Sequence, residues 1–170
     1  MKNNRLRKLI LTALFAALTC LATAVIQVPA PLVGYVHIGD ILVLCSAFLL
    51  GPIFGTAAAG IGSALADIFL AYAIYAPATL LIKAAFALVA ALVARALRAF
   101  PPSFGRLLGG LLGGILMALG YFAYEAFVLG YGIGAAANIP ASLLQAALGI
   151  AVSIPLTALM ERTRAKNIFQ

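Results

Sequence analysis

DILVLCSAFLLGPIFGTAAAGIGSALADIFLAY, Asp40 to Tyr72, decides how this chain is to be read. Apart from Asp40 and Asp67 it is hydrocarbon and small hydroxyl side chains, broken at its centre by Gly51–Pro52. Proline has no amide to donate, and it biases the residue before it away from helix. The stretch therefore predicts a helix over about 40–50, a turn, and a second helix ending near Tyr72. Residues 40–50 rise only about 16 Å as a helix, roughly half of a bilayer core of about 30 Å. That first helix is expected either to be half-buried against protein or to begin earlier, inside the preceding loop.

Similar segments lie on either side. MKNNRLRKLILTALFAALTCLATAV opens with a basic cluster, and its apolar run from Leu9 to Ile26 has span length. A secretory signal core has roughly 7–15 residues, so the run is expected to be a retained first helix. LTC, ending at Cys20, is a poor lipobox because threonine precedes the cysteine. QVPAPLVGYVHIG, Gln27–Gly39, is expected to be a loop. Beyond Tyr72, a fourth helix runs from Pro77 to near Arg98, and PPSFG turns the chain into a fifth over about 107–129. GYGIGAAAN leads to a sixth over about 140–160. The expected fold is an all-α membrane protein, residues 1–170 forming one bundle of six transmembrane helices.

Composition agrees. Of 170 residues 65% are hydrophobic and 9% charged, with mean hydropathy +1.17, far from a soluble domain. The net charge of +7 does not point to nucleic acid, because the basic residues sit in short clusters between apolar runs. Cys20 and Cys45 lie within apolar segments and make no disulfide framework. No phosphate loop, HExxH, Cys/His cluster or serine–base arrangement is present, so no enzyme activity, metal or cofactor is expected.

The basic residues also orient the chain. Lys2, Arg5, Arg7 and Lys8 precede helix 1; Arg95, Arg98 and Arg106 flank the helix 4–5 turn; Arg162, Arg164 and Lys166 follow helix 6. The loops after helices 1, 3 and 5 have no lysine or arginine, which puts both termini on the cytoplasmic side. Ten of eleven basic residues obey this rule, and Lys83 is the exception.

Lys83 sits in YAPATLLIKAAFAL, Tyr75–Leu88, roughly 9 Å below the outer end of its helix. Asp67, Glu125 and Gln145 fall at similar depths, and Asp40 with His37 stands where the first loop enters helix 2. Tyr121 and Glu125 share a face at i, i+4 spacing, as do Asn138 and Gln145 seven apart. Asn138 before Pro140 also suits a helix cap. Tyr72, Tyr75 and Tyr131 fit an interfacial aromatic belt. Intramembrane charge normally faces a functional cavity, so these outer-half polar residues define a candidate ligand site. Three roles are open to Lys83: a structural ion pair with Asp67, contact with ligand, or snorkelling to the outer interface. Gly62/Ala66 and Gly110/Gly114 have the small-xxx-small spacing of close helix packing, and Ala13/Ala17 gives helix 1 a smooth strip that could dock a partner.

GYVHIGDILVLCSAFLLGPIFGTAAAGIGSALADIF followed by YAPATLLIKAAFALVAALVA resembles the substrate-binding S component of energy-coupling factor (ECF) vitamin transporters. The resemblance rests on the order of a long first loop, a short second helix, the GP turn, S-x-L-A-D and P-x-T-x-x-x-K. It implies a prokaryotic plasma-membrane protein that captures a vitamin or precursor and works with a membrane T component and two cytoplasmic ATPases. It also implies that Ala13 and Ala17 pack on the T component. Ligand contacts are implied for the loop from Tyr35 through His37 to Asp40, and for Lys83, Tyr121, Glu125, Asn138 and Gln145; Asp67 joins them by depth. The chain has no tryptophan for ring stacking. Three outer acids against one lysine favour a neutral or weakly basic ring over a phosphorylated or polyanionic ligand. The GD, LAD and K pattern is similar to that of the family's branch for hydroxymethylpyrimidine or pyridoxine-like compounds, which implies a ligand of that kind. A self-contained secondary transporter and a non-transporting scaffold are the alternatives; no inverted repeat supports the former, and the outer polar cluster is foreign to the latter.

Overall fold

Gly51 reverses the chain where the sequence predicts a break. The computed structural model describes residues 2–30 and 35–163. Helix α2 spans Asp40–Phe69, but Gly51 inside it has φ 79° and ψ −174°, a backbone open to glycine without steric cost. The Ser46 hydroxyl donates to the Gly55 carbonyl at 3.2 Å, although nine residues of straight helix would separate them by about 13 Å. The two arms of α2 are therefore folded against one another as a tight hairpin. Its second arm stops at Phe69 rather than Tyr72, because Ala71 turns left-handed (φ 63°) and the Tyr72 amide caps the Asp67 carbonyl at 2.8 Å.

The other helices are α1 (Lys2–Val25), α3 (Ala76–Ala96), α4 (Pro102–Ala123) and α5 (Ile139–Arg162). A π turn, Tyr124–Val128, prolongs α4, and a 3-10 segment, Gly132–Asn138, leads into α5. Five helical runs among the described residues are long and apolar enough to cross a membrane. The loop after α1 is more regular than its two prolines suggest. β1 (Gln27–Pro29) pairs antiparallel with β2 (Tyr35–His37), Val28 opposite Val36, which satisfies backbone groups that would be costly to leave open in an apolar setting. Residues 31–34 of that loop, and Arg164 and Lys166 of the last basic cluster, lie outside the described residues.

α2 is the centre of the packing, touching α1, α3 and α5, while α4 closes the bundle between α3 and α5. Phe86 and Met117, both wholly buried, fill the middle with Val43, Leu44 and Ile150. Phe15, Leu11, Cys45 and Leu50 form a second cluster where α1 meets α2. Lipid is as apolar as leucine, so such helices gain stability mainly from close approach. A Cβ at Gly109 would lie 2.6 Å from the Ala90 carbonyl oxygen, and one at Gly62 would run into the Ala16 carbonyl. Ala13 and Ala17 are exposed, in a face continued by Leu9, Leu14 and Leu21.

Candidate functional site

Four chain reversals converge at one end of the bundle: the β1–β2 hairpin, the α2–α3 turn, the π turn after α4 and the 3-10 entry to α5. Between them is a cavity of about 60 Å³ lined by Tyr35, Val36, His37, Asp67, Tyr72, Tyr75, Thr79, Tyr121, Glu125, Asn138, Ser142 and Gln145, with Ala30 and Ala141. Seven of the nine residues expected to contact ligand lie on this wall: Tyr35, His37, Asp67, Tyr121, Glu125, Asn138 and Gln145.

Lys83 and Asp40 do not. Lys83 is fully buried and donates to Asp40 Oδ1 at 2.5 Å, so its partner is Asp40 rather than Asp67. Depth pointed to Asp67; the hairpin at Gly51 instead brings Asp40, at the head of α2, against Lys83 of α3. Snorkelling is excluded by the same burial. The ammonium also meets Met117 Sδ at 3.1 Å and faces the Tyr121 ring at 5.6 Å. Asp40 Oδ2 accepts from Gln145 Nε2 at 2.7 Å, and Gln145 Oε1 accepts the His37 backbone amide at 3.0 Å. The ion pair thus ties α2, α3, α5 and β2 together behind the cavity wall, each carboxylate oxygen bonded as a buried charge requires.

Two further acids face the cavity. Asp67 Oδ1 accepts from the Tyr35 hydroxyl at 2.6 Å, while its Oδ2, also buried, has no hydrogen-bond partner among the described residues. Glu125 accepts from Tyr75 at 3.2 Å and from Asn138 Nδ2 at 2.9 Å. Asn138 occupies the N-cap position of α5 but makes no side-chain cap; its amide is turned to Glu125 instead. The π turn sets Glu125: the Leu129 amide reaches back five residues to Tyr124, and the Tyr131 amide bonds the Glu125 carbonyl at 3.1 Å.

Tyr72 and Tyr75 are not an interfacial belt. Tyr75 is only 6% exposed, and the Tyr35, Tyr72 and Tyr75 rings form a chain with centroids 4.9 and 6.4 Å apart. Tyr131, 42% exposed, keeps a surface position. Tyr72 and Tyr75, expected in the belt, join the wall, and Thr79 and Ser142 complete it without having been singled out. Tyr75, Thr79 and Lys83 recur at intervals of four on one face of α3, a signal that could have found the first two. For Tyr72 no such signal exists, since the left-handed turn at Ala71 places it.

Burial pushes the Tyr35 and Tyr75 phenols above their ordinary range, helped by Asp67 and Glu125 respectively. Burial also lowers His37 to about 3, assisted by Lys83 and opposed by Asp40. Its imidazole is neutral at ordinary pH. The Gly39 amide donates to Nδ1 at 3.1 Å, which assigns the ring proton to Nε2. The cavity wall therefore presents the Asp67 and Glu125 carboxylates, a neutral imidazole and several aromatic faces.

An all-helical membrane bundle with a polar cavity at one end is the class that fold and site define. A family model for the ECF-type riboflavin transporter, S component, matches residues 3–162, and the chain belongs to that family. This is a family of transporter components rather than an enzyme class. A Pyrococcus woesei protein described as an uncharacterized protein in gap 3'region is 35% identical over 132 residues, 76% of this chain and 85% of that protein. The fold is similar to that in a structure of the S component of a bacterial ECF transporter, with TM-score 0.71 at 22% identity, covering 98% of this chain and 99% of that one.

Proposed function

We propose that the chain is the substrate-binding subunit of an ATP-driven ECF uptake transporter, holding a neutral ring compound with hydroxyl or N–H donors in the tyrosine-walled cavity. The observation that carries this reading is the cavity wall itself, which sets the carboxylates of Asp67 and Glu125 among the rings of Tyr35, Tyr72, Tyr75 and Tyr121. Tyr35, Tyr72, Tyr75 and Tyr121 provide the ring contacts that tryptophan would give elsewhere.

The family name makes riboflavin the first ligand to test, since a flavin is an uncharged ring system with a polyol chain. A single-ring compound such as hydroxymethylpyrimidine or pyridoxine is the second reading, and it asks less of the cavity. About 60 Å³ is far below the roughly 300–1,000 Å³ usual for small-molecule sites, so the walls would have to open for either, and further for a three-ring ligand.

In the same reading the two arms of α2 count as separate crossings, giving six, with both termini cytoplasmic in a prokaryotic plasma membrane. A separate membrane T component and two ATPases supply the energy, the T component docking on the exposed Ala13/Ala17 strip. Isothermal titration of the purified chain with riboflavin, pyridoxine and hydroxymethylpyrimidine tests it. Saturable 1:1 binding of one of them without partner subunits is expected. Solute accumulation by vesicles containing this chain alone, driven by an ion gradient, would replace it with the secondary-transporter reading.

A further inference from the structure

A second cavity, about 370 Å³, opens at the end of the bundle opposite the tyrosine-walled site. It is formed by the start of α1, the Gly51–Pro52 apex of α2, the end of α3 and the start of α4. Lys8, Arg95, Arg98 and Arg106 line it together with Phe48 and Phe100.

Among the described residues the charge there is only partly balanced by side-chain carboxylates. The chain has four acids in all: Asp40, Asp67, Glu125 and Glu161. Three are at the other end, and Glu161 is held by Arg106 at 2.5 Å. Lys8, Arg95 and Arg98 are thus left with no side-chain carboxylate to pair with. Arg106 is largely buried and stacks 5.8 Å from the Phe48 ring, which fixes one cation at the back of the cavity. Pro102 at the first turn of α4 also lines the cavity, adding the positive end of a long helix.

We propose that this cavity binds the phosphodiester headgroup of an anionic phospholipid. Cations at the ends of membrane helices lie at headgroup depth, where each attracts anionic lipid. The aromatic and aliphatic walls suit a glycerol backbone and the first methylenes of an acyl chain, a surface that a free phosphate would not use. The site is independent of the ligand cavity and of whichever vitamin that cavity holds.

The test is native mass spectrometry of the full chain released from nanodiscs containing equal phosphatidylglycerol and phosphatidylcholine. Retention of phosphatidylglycerol over phosphatidylcholine by about tenfold is expected, falling to near parity in Arg95→Gln/Arg98→Gln. Both side chains are exposed, so the variant should keep its thermal midpoint in neutral detergent, which separates lost binding from lost folding. Equal retention of the two lipids would overturn the proposal, as would a preference that survives the double substitution. Equal thermal protection by glycerol 3-phosphate would assign the site to a soluble anion. Tighter binding of an acidic helical peptide than of lipid would assign it to a protein partner.

Discussion

Lys83→Met removes the cation that pairs with Asp40 while keeping most of the side-chain volume. Asp40 would then be 1% exposed with no positive partner, holding only the Gln145 amide on Oδ2. Breaking a buried pair from one side costs about 3–5 kcal/mol, because the remaining charge stays desolvated. At about 2–4 °C per kcal/mol for a chain of this size, the thermal midpoint should fall by roughly 6–20 °C. Asp40→Asn/Lys83→Met removes both charges and retains an oxygen to accept from Gln145. It should recover most of that loss, since neutral replacement of a buried pair is often close to cost-free. The assay is the tryptophan-free chain's thermal unfolding by far-ultraviolet circular dichroism in detergent, run as a double-mutant cycle with Asp40→Asn. Coupling below about 1 kcal/mol would refute the assignment of Lys83 to Asp40. Ligand affinity adds a second axis: in the double variant it should stay within a few-fold of the parent, because neither residue lines the cavity.

Asp67→Asn should weaken ligand binding by about tenfold to a hundredfold, the loss of a charge-assisted hydrogen bond, with Tyr35→Phe weakening it less; titration calorimetry reads both. Gly109→Ala should destabilise by about 1–3 kcal/mol, because its Cβ would press on the Ala90 backbone rather than on a movable side chain, while Gly134→Ala, with open space around it, should be neutral. His37 is neutral in the fold down to about pH 3 but takes a proton near pH 6.5 when unfolded. The unfolded chain thus binds more protons between those values, so stability should fall as pH drops below about 6.5, by up to tenfold in the folding equilibrium per unit, with His37→Gln flattening the slope between pH 7.5 and 5. Ala13→Leu/Ala17→Leu should leave ligand affinity and thermal midpoint unchanged and abolish co-purification with a T component.

Elements were legible because punctuation and charge are local. Gly51–Pro52 marks the hairpin apex, and Pro77, Pro101–Pro102 and Pro140 mark helix starts to within a few residues. Depth was legible too, since a helix rises evenly and counting from its end gives an axial coordinate. Azimuth was not. Asp40 and Asp67 lie on the same hairpin, and only the angle between its arms decides which faces Lys83. The β1–β2 hairpin was hidden for a related reason: QVP and YVH are too short to show a period, and the strand gains its place from Tyr35 bonding Asp67 and the His37 amide bonding Gln145. Tyr75 was misassigned because a tyrosine at a helix end reads the same whether it faces headgroups or a carboxylate.

Binding of riboflavin, pyridoxine and hydroxymethylpyrimidine to the purified chain, measured in parallel with Asp67→Asn and Glu125→Gln, tests the central claim most directly. The account predicts that one of these ring compounds binds 1:1 with no other subunit present, and that both substitutions weaken it. Binding that is unchanged in both variants, or absent for all three compounds in folded protein, would contradict it.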